Sequence, residues 1–554
     1  MLPGKMTRFS SILPKRPSEA PAIGLSPDRA ASGALNGKVL LFWAVTLAAA
    51  CFFLLHAADP PAELTARFTI DDSFYYFETA WRTRLSGFVT FDSIHHANGV
   101  HFLWFMIVLG IAWLAPAKPF VLYGAYCASF VLVMGVYAAI WRVGTLVLDR
   151  GRLLTLLMAL SWTFLLADRS NLFFVGMEST LHMAALWGCL IAFLALLQAL
   201  DRSAGFPGRP FLIFTLFVVL VTWARLDSAL YSLALYAFVA VRIIRRRAPD
   251  KAGFARALGG SLAIIAAGAA VQIGFYHVAG GTVLPISGLV KAAGVGPEIA
   301  AGTWARYMSV VFPIPTFVDG RTPVHLLAKL VLFSALLGYA VTRSLNAAAP
   351  MRHLYGFAAT LGATTIVYAA IVGANHDPFW RWYLAPVYLF YIVTVACALR
   401  EARESLDWRC FRIPLVAAAA GTVLSLFFVL LFFASYQLVP HYLARAQLGQ
   451  FLKETTAETD ILAAFNAGQV AFFSERRTIN IDGLVNDRAF LRTVLNKPNR
   501  LIPYLRDQKV RYVADYDFYW ADDAVRRGTR LKYAFPIKDD LYQRVLQVRE
   551  VGGE

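Results

Sequence analysis

The chain has 554 residues, 58% of them hydrophobic and 16% charged, which excludes a soluble globular protein and far exceeds the needs of a single membrane anchor. Its net charge of +17 would suggest nucleic acid in a soluble protein, but most Lys and Arg lie in short connections between apolar runs, the signature of membrane topology. Cys51, Cys127, Cys189 and Cys397 lie inside apolar runs and Cys410 in a basic connection, so no CxxC, zinc-ligand spacing or disulfide framework points to redox chemistry.

Residues 1–37 read as a disordered cytoplasmic tail carrying Lys5, Arg8, Lys15 and Arg16. Residues 48–51 faintly resemble a lipoprotein cleavage site, but the apolar run continues through Phe52-Phe-Leu-Leu55, so it is read as an uncleaved signal anchor. Apolar segments that cross or nearly cross a bilayer run at 38–58, 100–115, 119–147, 152–167, 180–200, 210–224, 228–244, 257–278, 324–342, 354–373, 380–399 and 413–436. The basic tail, Arg242-Ile-Ile-Arg-Arg-Arg247 and the Arg343 to Arg352 and Arg400 to Arg412 connections belong on the cytoplasmic side. Residues 60–98, 168–179, 279–323, 374–380 and the tail from about 440 then fall on the opposite side. Asp72 and Glu178 share that side only if an even number of crossings separates them, so the short 100–115 run is not counted as a separate crossing. About eleven crossings result.

The first external loop, 59–99, contains Thr69-Ile-Asp-Asp-Ser-Phe-Tyr-Tyr-Phe-Glu-Thr-Ala-Trp81. As a helix it places Asp72, Tyr75, Tyr76, Thr79 and Thr83 on one face and Phe74, Phe77, Trp81 and Leu85 on the other. This is the pattern of an amphipathic helix in the membrane interface, hydroxyl-rich side toward water and apolar side toward lipid or neighbouring helices. Asp71 and Asp72 occupy its first turn, where one carboxylate suffices as a cap. The second is then available as a general base or a cation ligand.

Other polar groups are expected on the same side. They are His95, His96, Asn98, the Asn98-Gly99 turn signal and His101 in the rest of the loop, Glu178 at a helix mouth, and Arg225 with Asp227 in a very short connection. Lys291, His376, Asp377 and Arg381 follow. Each also has a plain structural reading: Arg381 with Trp382 as an interfacial anchor, Lys291 snorkelling, Glu178 as a helix-dipole partner, and the histidines as surface residues rather than metal ligands. Their gathering on one face is what points to a site. From about 440 the character changes: 460–465, 477–482 and 510–515 read as strands and 500–508 as a helix, giving a small α/β domain over 439–554.

With these residues assembled, the chain resembles the GT-C class of membrane glycosyltransferases, and most of all its arabinofuranosyltransferase-like and mannosyltransferase-like bacterial branch. The resemblance rests on Asp71-Asp72-Ser-Phe-Tyr-Tyr, the Asn98-Gly99 turn, Gly176-Met-Glu178, Arg225-Leu-Asp227, Leu284-Pro285 to Lys291 and Arg381-Trp-Tyr383, in the family's order. Phe465-Asn-Ala-Gly468 and Asn480-Ile-Asp-Gly-Leu484 resemble the start of the family's external domain. One departure is Ala97-Asn98-Gly99-Val-His101 where a Thr-Asn-Pro type of sequence is common.

The resemblance implies a mainly α, polytopic helical bundle (residues 38–438) with interfacial loop helices and a C-terminal α/β domain, in a bacterial inner membrane with the active site non-cytoplasmic. It implies transfer of a hexose or pentose from a polyprenyl-phosphate donor to a glycan, lipid or protein acceptor of the cell envelope, with membrane lipids but no nucleic acid as partners. Asp71 or Asp72 would be the base, and Lys291, Arg225 and Arg381 would stabilise the leaving phosphate. Tyr75, Tyr76, His95, His96, Asn98, Glu178, Asp227 and His376 complete the candidate substrate site. No metal is assigned, with Asp72 and Glu178 the candidates for a divalent cation. The rival readings are a transporter or flippase, which repeats and mid-membrane charges would favour, and a non-enzymatic envelope scaffold.

Overall fold

The apolar runs fold as helices throughout a computed structural model that describes residues 37–147, 152–167, 176–202, 205–245, 251–293, 323–373, 381–405, 414–495, 497–517, 526–538 and 543–552. The N-terminal tail and parts of three expected external stretches (168–175, 294–322 and 374–380, with His376 and Asp377) lie outside the described residues. The bundle comprises α1 (Gly37–Leu55), α4 (Phe102–Leu114), α5 (Pro119–Val147), α6 (Arg152–Ala167), α7 (Glu178–Arg202), α8 (Gly208–Ala224), α9 (Ala229–Arg245) and α10 (Lys251–Gly280). It continues with α12 (Pro323–Asn346), α13 (Met351–Gly373), α14 (Ala385–Ser405) and α15 (Pro414–Ser435). Short elements α2 (Pro61–Phe68), α3 (Asp71–Ser86) and α11 (Ile286–Ala293) connect them at one end.

Among the described residues, eight helices are long and apolar enough to cross a membrane. Helices α6 and α8, with 16 and 17 residues, are apolar but shorter. With 13 residues, α4 is only about 20 Å long against a hydrocarbon core of about 30 Å. It is too short to cross alone, which is the physical basis for leaving the 100–115 run out of the crossing count. Between helices the interior is filled by large side chains such as Trp104, Trp162 and Trp187, all fully buried.

Beyond the bundle, α16 (Pro440–Thr455) leads into β1 (Ile461–Ala464), α17 (Ala467–Ser474), β2 (Arg477–Asn480), α18 (Arg488–Thr493), α19 (Pro498–Asp507), β3 (Val510–Tyr516), β4 (Thr529–Lys538) and β5 (Gln543–Val551). The sheet order is β2-β1-β3-β5-β4. Its first three strands are parallel, and the last two join antiparallel. Pro536 sits in β4, where it is tolerated because that strand is at the edge of the sheet.

The C-terminal domain is docked on the bundle through α2 and α3. Arg67 donates to the Tyr436 carbonyl at 2.9 Å, and Val439 N to the Ala66 carbonyl at 3.1 Å. Phe74 packs edge-on to Phe472, centroids 5.0 Å apart, and against Phe473. Glu78, fully buried, is bound by Lys118 at 2.5 Å and Arg82 at 2.7 Å. Lys118 also donates to the Ala471 carbonyl, and Arg82 to that of Arg476. Helix α3 therefore does not lie in the interface with its hydroxyl face in water: Asp71 and Ser73 to Ala80 are buried between the bundle and the domain. Of its hydroxyls, Tyr75 bonds Asp482 of the domain and Tyr76 bonds Glu178 of the bundle, while Thr79 is buried without a hydrogen-bond partner among the described residues.

Candidate active site

Helix α3 starts at Asp71 after extended Ile70 and is closed by Gly87 in the left-handed conformation, with Gly87 N bonded to the Thr83 carbonyl. Both carboxylates therefore sit in its first turn, but about 100° apart around the axis. Asp71 points into the C-terminal domain. It accepts from Gly468 N at 3.1 Å and Gln469 N at 2.8 Å, at the start of α17, and lies 3.5 Å from Arg445. Arg445 in turn reaches Asp515 at 3.3 Å. Gly468 is required there, since a Cβ would stand 2.3 Å from the Asp71 carbonyl oxygen.

Asp72 is half-buried and forms no hydrogen bond or ion pair among the described residues. Burial pushes its carboxyl up to about 6, with Lys291 opposing and the charges of Asp71 and Glu178 reinforcing. Lys291, on α11, donates to the Tyr383 hydroxyl at 2.7 Å. Burial disfavours its charge, but Tyr383 and Asp72 outweigh that and hold the ammonium above its ordinary value.

Beneath them Arg225 is buried, with 1% of its side chain exposed, and bonds Glu178 on one side. On the other it grips Asp227 with two bonds, 3.1 and 2.9 Å. Tyr76 donates to Glu178 at 2.8 Å and Tyr368 to Asp227 at 2.7 Å. The guanidinium also lies over the Tyr383 ring, 4.3 Å from its centre. Two carboxylates thus neutralise this Arg, so the cation it offers an incoming phosphate is already spent. His101 stands 3.5 Å from Glu178. Burial lowers its pKa to about 4, so it is neutral there and forms no ion pair. Glu178 already holds Arg225 and Tyr76, so it does not pair with Asp72 as a ligand set for a divalent cation. Among the described residues no three His, Cys, Asp or Glu side chains are placed around a metal position.

The remaining candidates are distributed as follows. Tyr75 donates to Asp482 of the C-terminal domain at 2.7 Å. Asn98 gives both amide hydrogens, to the Tyr276 carbonyl and Thr282, and accepts from Ile286 N at 2.9 Å. It thereby fixes the turn that leads into α11 and Lys291. Gly99 has no left-handed φ, so it is not a turn glycine. It permits close approach instead, since a Cβ would lie 1.7 Å from the Leu484 carbonyl oxygen. His95 pairs with Asp92 at 2.7 Å, and exposed His96 packs on Phe88. Arg381 begins the short 3-10 turn Arg381–Leu384 that carries Tyr383. His376 lies outside the described residues.

Sequence reasoning did not name Asp482, Arg445 or Tyr383 as site residues. Asp482 ends the run read as a strand over 477–482, and nothing in the sequence singles out Arg445. The partners of Arg445 and Asp482 lie about 370 to 410 residues earlier in the chain, and Lys291, the partner of Tyr383, lies 92 residues earlier, so no local pattern marks them.

Comparisons with known proteins come from structure and from one domain. Residues 434–549 match a family described as a domain of unknown function, DUF8728. No curated protein matches the sequence. Two solved structures share the fold: ArnT from Cupriavidus metallidurans bound to undecaprenyl phosphate, at TM-score 0.52 and 12% identity, covering 93% of this chain and 98% of that one; and the same protein in the apo state, at TM-score 0.53 and 11% identity, covering 92% and 98%. The polytopic helical bundle with a small α/β domain is therefore a fold this chain shares with that protein.

Proposed function

We propose that this chain is a GT-C-type glycosyltransferase that moves a sugar from a polyprenyl-phosphate carrier to a cell-envelope glycan, lipid or protein on the non-cytoplasmic side of the bacterial inner membrane. The carrying observation is the division of labour between adjacent carboxylates: Asp71 is bound on several sides, while Asp72 is unbonded and stands within the field of Lys291. The similarity of the fold to a protein seen with undecaprenyl phosphate supports the class of carrier.

In this reading Asp72 takes the proton of the acceptor hydroxyl as its oxygen attacks the anomeric carbon. The bond from that carbon to the phosphate oxygen breaks, and polyprenyl phosphate departs with the electron pair. A carboxyl tuned to about 6 is ionised near neutral pH yet basic enough to share the proton. Lys291 meets the growing charge on the phosphate, with Arg381 a second candidate on the neighbouring turn. The Arg225 network holds Glu178 and the Tyr383 ring in place, and through Tyr383 it orients Lys291.

The test supplies membranes containing the intact protein with a panel of radiolabelled polyprenyl-phosphate pentoses and hexoses. Label should move from one donor into envelope material with release of polyprenyl phosphate, and the Lys291→Ala form should lose that transfer. Absence of turnover across the panel, at a verified protein level, would move transport or scaffolding ahead.

A further inference from the structure

The turn after β2 is built into the candidate site from the other domain. Its backbone is held by Ile481 N on the Ala464 carbonyl at 3.0 Å, Leu484 N on Asp482 at 2.8 Å and the Asn486 amide on the Asn480 carbonyl at 2.6 Å. Gly483 takes a φ of +85° and faces Val290, the neighbour of Lys291. The Leu484 carbonyl rests on Gly99. The turn therefore touches the first external loop and α11, while Asp482 reaches α3.

Within that turn Asp482 is half-buried; Tyr75 donates to one carboxylate oxygen and Leu484 N to the other, with the Asn480 side chain also close enough to favour its ionised form. A carboxylate oxygen has two lone pairs, so acceptor capacity remains. Among the described residues no cation pairs with Asp482. A buried carboxylate without a cation costs stability, and burial pushes this one up to about 7, with Asp72 near enough to add its charge. A turn needs only the bond to Leu484 N, which an Asn would serve equally well.

We propose that Asp482 is an acceptor-binding residue, whose carboxylate receives a hydroxyl hydrogen of a carbohydrate acceptor held between the 481–486 turn and Asp72. The inference rests on the transfer reading above. Carboxylates on Asp72 and Asp482 repel the carrier phosphate, which has Lys291. They suit sugar hydroxyls, which donate to carboxylates and accept from Tyr75 and backbone amides. The C-terminal domain is then part of the site and a determinant of which acceptor is used.

The experiment uses full-length protein in nanodiscs, the labelled donor that the panel identifies, and a glycolipid and glycan extract of the host envelope as acceptor. Asp482→Asn and Tyr75→Phe are compared with the intact protein, and Glu458→Gln, an exposed change on the same domain, is the control. Asp482→Asn should raise the apparent KM for the extract about tenfold or more, the loss of one charge-assisted hydrogen bond, while donor KM and affinity for undecaprenyl phosphate shift less than twofold. Tyr75→Phe, which keeps the ring and frees the carboxylate, should give a smaller rise of the same kind. Unchanged acceptor KM in both variants overturns the proposal, as does a rise confined to donor KM, which would assign Asp482 to the donor sugar. Failure of the intact protein to turn over any donor overturns the transfer reading itself.

Discussion

Helix α3 buries carboxylates on two faces, and the two faces treat them differently. Toward the C-terminal domain, Asp71 has two backbone amides and Arg445, and Glu78 has Lys118 and Arg82, so each charge is compensated by groups at 2.5 to 3.5 Å. Toward the bundle, Asp72 has burial without bonds, and its pKa rises. A compensated buried charge joins two parts of a protein, and an uncompensated one costs stability that chemistry can use. In the proposed transfer, neighbouring residues of the same type then carry opposite roles, Asp71 as fastening and Asp72 as base.

The largest break comes from removing a compensating charge. Arg225→Gln leaves buried Glu178 and half-buried Asp227 without their shared cation and should cost about 3–5 kcal/mol, read as a fall in Tm or in folded yield. Lys291→Ala takes away the cation facing Asp72 and should reduce kcat by about 10²–10³ with the fold retained, because its partner is a tyrosine hydroxyl. Gly99→Ala forces a Cβ toward the Leu484 carbonyl and should destabilise by about 1–3 kcal/mol, seen as easier proteolytic release of the C-terminal domain. The smallest and most specific effect is that of pH. The base works ionised, so kcat/KM should fall as pH drops through about 6, with a flat profile from pH 5 to 8 counting against Asp72.

Much of the bundle was legible because helices in lipid must be long and apolar, and each such run announces itself. The parallel strands β1, β2 and β3 showed in short apolar runs, whereas β4 was harder to read with Arg530, Lys532 and Pro536 in its path. For the candidate site, the sequence names residues but not the partners that set their roles. Nothing in Asp71-Asp72 says which carboxylate meets Gly468, since that partner is set by how a domain nearly 400 residues away docks. Arg225 looks like a phosphate ligand until two carboxylates are seen to hold it. Asn98 looks like a substrate contact until its partners on the turn before Lys291 are counted.

The difference between the faces of α3 is tested most directly by crossing two variants with two readouts: Asp71→Asn and Asp72→Asn, each measured for sugar transfer and for Tm at pH 7.5. The raised pKa means that the fold holds the Asp72 proton more tightly than the unfolded chain does. Its stabilising contribution is present at low pH and lost as pH rises through about 6, so at pH 7.5 its neutral amide should not lower Tm. Asp72→Asn should therefore cut transfer by about 10²–10⁴ at unchanged or higher Tm. Asp71→Asn should lose about 2 kcal/mol of stability while the folded fraction keeps transfer. The reverse pattern, or equal losses in both variants, would contradict the assignment of base and fastening.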